Sequence, residues 1–207
     1  YGASSSDPCD GIHIMNCLIE NCHYNIYGYY IYNGSIVGNE LIQNTYSYGT
    51  YCPRYCDNVL IANNMSYNQY TSTGYGIYCY NSTNCKFYYN SCYSYGRPLY
   101  INGSSCSGND IKNNALYSTY SGSSTLYCAM YIGGTTYATA DYNCLYSPTA
   151  STFVYFGSAY TDLASYQTAT GQGMHSINAD PLFIDTSLTS YDLHIDDASP
   201  CVEAAMA

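Results

Sequence analysis

The side chains able to do chemistry are few: fourteen Asp or Glu, four Lys or Arg, four His and twelve Cys in 207 residues. Paired carboxylates facing one another would suit glycoside hydrolysis. A Lys or Arg beside a carboxylate-held calcium would suit abstraction of a proton next to an acidic group. The acids of the first 160 residues are Asp7, Asp10, Glu20, Glu40, Asp57, Asp110 and Asp141, and the bases are Arg54, Lys86, Arg97 and Lys112. The densest carboxylates are terminal: Asp180, Asp185, Asp192, Asp196, Asp197 and Glu203. A calcium loop through Asp192, Asp196 and Asp197 is conceivable from its oxygen ligands alone. The tightest thiol groupings, Cys52-x3-Cys56 and Cys17-x4-Cys22-His23, lack the second knuckle of a structural zinc site. His13, His23, His175 and His194 are scattered, and no nucleophile–His–Asp spacing, phosphate loop or dinucleotide fingerprint occurs.

What must position these groups is a repeat. Asn16, Asn39, Asn64, Asn90, Asn114 and Asn143 recur about 25 residues apart, a period that signals a solenoid. Two positions after them come Leu18, Leu41, Ser66, Cys92, Leu116 and Leu145; three before come His13, Ile36, Ile61, Phe87, Ile111 and Ala140. Both columns read as inward faces of a stacked wall. Short runs such as Tyr30–Gly34, Ile77–Asn81 and Leu99–Gly103 end at Asn or Gly, the signature of a strand followed by a turn. Helical repeats would need Ala, Leu, Glu and Lys at 3.6-residue spacing, whereas Tyr, Ser, Asn, Thr and Gly dominate. Coils of short strands stacked at ~4.8 Å fit instead. The six Asn amides are expected to form a ladder, bonding from coil to coil.

That register tests the candidate chemistry. It sets Lys86 beside Asp110 and Lys112 beside Asp141, opposite charges on neighbouring strands. No two acids of the first 160 residues share a column on adjacent coils, and Arg54 and Arg97 have no carboxylate in register. No catalytic, cofactor or metal residue is therefore assigned, and the reading leans away from an enzyme. Tyr67, Tyr93, Tyr117 and Tyr146 share a column three positions after the Asn. The amphipathic ring of Tyr suits ladders, sugar contacts or contacts between copies. Asn33, Asn81 and Asn102 begin glycosylation sequons at turn ends, while the sequon of Asn64 falls on the ladder and should be inaccessible.

These residues carry a resemblance. The repeat resembles the right-handed parallel β-helix of the pectate-lyase-like superfamily. Asn178-Ala-Asp-Pro-Leu-Phe-Ile-Asp, Tyr191-Asp-Leu-His-Ile and Ala198-Ser-Pro-Cys-Val-Glu-Ala-Ala are similar to the closing segment of many secreted members. The resemblance implies an all-β, single-stranded, right-handed parallel β-helix of about six to seven coils with an irregular C-terminal capping segment. It explains Asp180 and Asp185 as turn residues. Members include lyases, epimerases, hydrolases, adhesins and spikes, so it implies no single activity.

Composition divides the chain near residue 160. Residues 1–160, the expected β-helix body, hold 29 of 31 Tyr and 11 of 12 Cys; residues 161–207, the closing segment, hold no Lys or Arg and seven acids. A net charge of −10 excludes a phosphate-tracking nucleic-acid binder, and no uninterrupted apolar run is long enough for a membrane span. Twelve cysteines point to an oxidising exterior with disulfides. A start at Tyr1 without a signal peptide fits one already removed, or a larger precursor. The expected function is an extracellular or cell-surface structural protein, self-associating end to end into a filament. The alternative is a carbohydrate-active or glycan-binding β-helix.

Overall fold

The computed structural model describes residues 2, 4–43, 51–71, 74–187, 189–202 and 204. Glu203 and the Cys52 side chain lie outside them. The chain winds as a β-solenoid with three walls of parallel strands. The ladder wall stacks Leu18–Glu20, Glu40–Gln43, Met65–Asn68, Ser91–Ser94, Ala115–Ser118 and Cys144–Tyr146. The charged wall stacks His13–Met15, Ser35–Val37, Leu60–Ala62, Lys86–Tyr88, Asn109–Lys112 and Ala138–Asp141. The tyrosine wall stacks Ile26–Tyr29, Tyr51–Arg54, Tyr75–Tyr80, Arg97–Asn102, Met130–Ile132 and Val154–Phe156, then turns back antiparallel at Ala159–Tyr160.

Strand alternation builds the core. Ile36, Ile61, Phe87 and Ile111 follow one another in register, all fully buried behind the charged wall. Leu41, Ser66, Cys92, Leu116 and Leu145 do the same behind the ladder wall. The corner between these walls needs a left-handed backbone at one residue per coil. Gly38, Asn63, Tyr89, Asn113 and Tyr142 occupy it with φ of 68, 53, 55, 58 and 57°. Asn and Gly adopt that conformation at little cost.

Asn16 belongs to this corner column, with φ 54°, and not to the ladder. Leu18 pairs with Glu40, so the residue beneath Asn39 is Cys17, whose backbone N–H donates to Asn39 Oδ1 at 3.1 Å. Asn16 in the Asn-Cys-Leu-Ile run lies one position ahead of its apparent equivalents. The same shift puts Ile14, not His13, in the inward column; His13 is exposed and bonds Ser35 Oγ at 2.8 Å. A one-residue slip exchanges the faces of a strand.

The other five amides form a continuous chain. Asn39 Nδ2 donates to Asn64 Oδ1 at 3.0 Å, Asn64 to Asn90 at 3.0 Å, Asn90 to Asn114 at 2.9 Å and Asn114 to Asn143 at 2.9 Å. Each Oδ1 from Asn64 onward also accepts the backbone N–H of the preceding Asn, and each Nδ2 donates to a carbonyl of an earlier coil. The buried amides are thereby satisfied on both sides, which makes their burial tolerable.

Past residue 160 the chain does two things. The helix Leu163–Thr170, capped by Asp162 at its start and by left-handed Gly171 at its end, packs Tyr166 against Phe156 and Tyr160. A hairpin of Phe183–Asp185 with Asp192–Ile195 then lies along the ladder wall, where Leu193 is buried with Ile42 and Tyr67. Among the described residues no helix is long and apolar enough to cross a membrane.

Candidate functional site

The charged wall brings together most of the groups singled out for chemistry. Lys86 faces Asp110, and Lys112 faces Asp141, as strand neighbours. The ion pairs themselves are different. Lys112 Nζ lies 3.0 Å from Asp110 Oδ2 on its own strand, because residues two apart project to one face. Asp110 also accepts from Tyr88 OH at 2.5 Å and Thr139 Oγ1 at 3.0 Å. Asp141 is held by the backbone N–H and Nδ1 of His175, both at 2.8 Å. Lys86 makes no ion pair among the described residues. Burial raises the Asp110 carboxyl, but bonds from Tyr88, Lys112 and Thr139 outweigh it and leave its pKa lowered. Asp141 is likewise lowered, its desolvation outweighed by the bonds from His175 and Tyr142. Beside Lys86 and Tyr88 is a depression of about 500 Å³, lined also by Asn33, Ser35, Asn58 and Leu60.

The tyrosine wall holds a column that periodicity had not isolated. Tyr78, Tyr100, Tyr131 and Tyr155 stack in register, with ring centroids 5.0, 4.7 and 4.4 Å apart. The matching runs at 77 and 99 were visible in sequence; those at 130 and 154 follow longer turns that hide the phase. Arg97, 5% exposed, lies 4.9, 4.9, 4.8 and 5.4 Å from the rings of Tyr75, Tyr100, Tyr127 and Tyr131. Its guanidinium also donates to Tyr75 OH and to Leu126 O. Arg54 stands over Tyr78 and Tyr80 and donates to Tyr27 OH at 3.3 Å. Arginine stacks on aromatic faces in this way without needing a carboxylate.

The column on the ladder wall is covered at Tyr67 and Tyr93. Tyr67, Tyr93, Tyr117 and Tyr146 follow one another at 5.6, 4.9 and 4.8 Å. Tyr191 and Phe183 of the terminal hairpin lie on Tyr67 and Tyr93, and Tyr67 OH donates to Thr186 O. Tyr191 OH donates to Glu20 Oε1 at 2.7 Å, closing the far end.

The turn residues are bonded in the same manner. Asn33 Nδ2 donates to Asp10 Oδ1, Asn58 Nδ2 to Asn33 Oδ1, and Asn102 Nδ2 to Tyr100 OH; Asn81 Oδ1 accepts from Ser105 N–H. Asn33, Asn58 and Asn81 thereby join neighbouring coils, while Asn102 bonds within its own strand. In the terminal segment Asp192 accepts from the N–H and Nδ1 of His194, and Asp196 from Ala198 N–H.

The eleven described cysteines are free thiols, correcting the expectation of a disulfide framework. Seven are buried, and five of them, Cys56, Cys79, Cys85, Cys92 and Cys106, serve as small apolar filling of the solenoid core. Burial pushes the thiols of Cys85, Cys92 and Cys128 up to about 12.

No curated protein and no solved structure matches the chain. A family model described as periplasmic copper-binding protein (NosD), a parallel β-helix family, matches residues 2–144. Copper favours clustered thiolates, thioethers and imidazoles. Among the described residues no three His, Cys, Asp or Glu side chains converge. His13, His175 and His194 are turned to Ser35, Asp141 and Asp192. The described residues do not fit a copper centre. By the match across most of its coils, and by its stacked parallel walls, the chain belongs to the NosD family.

Proposed function

We propose that the protein is a structural solenoid of the cell exterior or periplasm, a stiff rod with few charged side chains that associates with other copies rather than a catalyst. The observation that carries this reading is the fate of its polar side chains. Arg54, Arg97, Lys112, Asp57, Asp110 and Asp141 each bind a neighbouring coil, a neighbouring strand residue or the terminal segment. The family's own description supports a periplasmic setting. The helix at Leu163–Thr170 and the antiparallel strand Ala159–Tyr160 cover one end of the stack, so lateral contact between walls is the favoured mode over open end-to-end growth. Sedimentation velocity over a hundredfold concentration range, followed by negative-stain microscopy, tests this. Species of two or more rods at the upper concentrations are expected; rods that stay single throughout would overturn the reading.

A second reading rests on the depression beside Lys86. An exposed ammonium without an ion pair among the described residues, next to Tyr88 and the polar Ser35 and Asn58, suits an acidic oligosaccharide. Titration calorimetry with oligogalacturonate should give binding that Lys86→Ala reduces at least tenfold. Equal binding by that variant would remove the reading.

A further inference from the structure

The tyrosine wall carries four rings that lie flat on one another. Tyr78, Tyr100, Tyr131 and Tyr155 pair in strand register, so each ring sits one coil along from the last. Successive planes are 23, 24 and 8° apart. Tyr131 and Tyr155, with centroids 4.4 Å apart, are the closest and most nearly parallel tyrosine pair among the described residues. The ladder-wall column has similar spacing but a different geometry. Tyr93–Tyr117 and Tyr117–Tyr146 meet edge to face, at 74 and 79°. On the tyrosine wall, Tyr78, Tyr100 and Tyr155 are half-buried and Tyr131 is 8% exposed. The residue that follows Tyr155 in the sheet is Ala159, which has no ring to cover it.

We propose that this stack is a site of oxidative cross-linking, at which a haem peroxidase with hydrogen peroxide joins Tyr131 to Tyr155 as dityrosine. Each phenol gives up one electron and one proton and becomes a neutral phenoxyl radical. Arg97 stands over Tyr100 and Tyr131, so positive charge on those rings is disfavoured and the proton leaves with the electron. The unpaired electron of a phenoxyl lies largely on the carbons ortho to its oxygen. Parallel stacking overlaps the two radical π systems, and a carbon–carbon bond forms between ortho carbons; edge-to-face rings lack that overlap. The hydrogen on each coupled carbon then moves to its own ring's oxygen, restoring both phenols. Two electrons and two protons have left the protein, and they reduce one hydrogen peroxide to two waters. An oxidant that reaches the accessible edge of Tyr78 or Tyr155 serves Tyr131 as well, because electrons pass readily between rings in contact. Cys128, which donates to Met130 O, is pushed up to about 12 by burial and keeps its proton, so it is a poor electron donor to the radicals. The bond rivets the last two parallel strands of the wall, at the end where Tyr166 of the helix packs on Phe156. It lies within one chain and does not rest on association between copies.

The test treats the whole chain, dilute and with its accessible thiols alkylated, with peroxidase and limiting hydrogen peroxide, then digests it for mass spectrometry. A joined pair of peptides carrying Tyr131 and Tyr155, two hydrogens lighter than their sum, is expected at least fivefold above any Tyr117–Tyr146 link. The same oxidation in concentrated urea should lower the yield of that pair at least fivefold, because the stack is gone. Tyr155→Phe keeps the ring and removes the phenol, and should reduce the dityrosine fluorescence of the monomer; Tyr146→Phe should leave it unchanged. Coupling that follows exposure instead, with Tyr89 (48% exposed) joining separate chains, would overturn the proposal. Equal yields of the Tyr131–Tyr155 pair in folded and unfolded protein, undiminished fluorescence in Tyr155→Phe, or no dityrosine at all would do the same.

Discussion

At the residue scale, position in a column decides what a side chain does. Asn90 lies 1% exposed and bonds Asn64, Asn114 and the carbonyl of Ile61. Replacing it with Ala strands a donor on Asn64 and the carbonyl of Ile61 in a dry wall, at about 1–3 kcal/mol for each unsatisfied group. Asn90→Ala should therefore lower the unfolding free energy by about 3 kcal/mol, measured by urea titration. Asn16→Ala, at an exposed left-handed corner that Ala adopts less readily than Asn, should cost only about 1 kcal/mol. The two residues look alike in sequence, since each precedes a Cys or Ser and an apolar pair. The difference was not legible because the first turn is one residue out of phase, and only the pairing of Leu18 with Glu40 reveals it. Five amides of the ladder were readable, because a buried amide stacked on its own kind satisfies itself. The ion pairs were readable only as neighbours. Register fixes which residues face each other, but Lys112 reaches along its own strand to Asp110 and leaves Asp141 to His175.

At the scale of elements, walls and terminal segment hold each other through aromatic contacts. Arg97 joins the 119–128 turn to the tyrosine wall through four rings and the carbonyl of Leu126. Its removal should destabilise the protein by about 2 kcal/mol or more, the scale of a desolvated cation–π contact. Arg97→Lys should restore less than half of that, because the ammonium keeps the charge but loses the planar stacking surface. Thermal unfolding of both variants checks the order. The hairpin at 183–195 was expected only as a closing segment. Its motif told of turns at Asp180 and Asp185, which do bond Leu182 N–H and Ser187 N–H, but not of the wall it would lie on. That choice belongs to tertiary packing. The Tyr column at 67, 93, 117 and 146 offers the apolar surface, and Leu193 and Phe183 supply the complement. The strand pattern of the sequence speaks to neighbours within a sheet, not to partners across its face.

At the scale of the molecule, the tyrosines of the two described columns, Tyr67 to Tyr146 and Tyr78 to Tyr155, act as mortar between coils. Asp110 and Asp141 have lowered folded pKa values, so the stability they contribute is present above the ordinary carboxylate range and fades as the pH falls through it. The tyrosines act at the other extreme. Burial first, and then neighbouring Tyr or Asp charge, pushes Tyr67, Tyr117 and Tyr131 up to about 12. An unfolded tyrosine ionises near pH ~10. The unfolded chain thus releases these protons first, and the stability they provide is complete below about pH 10 and is lost as pH rises towards about 12. The most direct test of the whole account is a tyrosinate absorbance titration recorded together with far-ultraviolet circular dichroism. A group of tyrosines that ionises late, in one steep step coinciding with loss of the β signal, is the predicted result. Smooth ionisation of every tyrosine near pH ~10 with the β signal intact would contradict it, because the rings would then be facing solvent rather than one another.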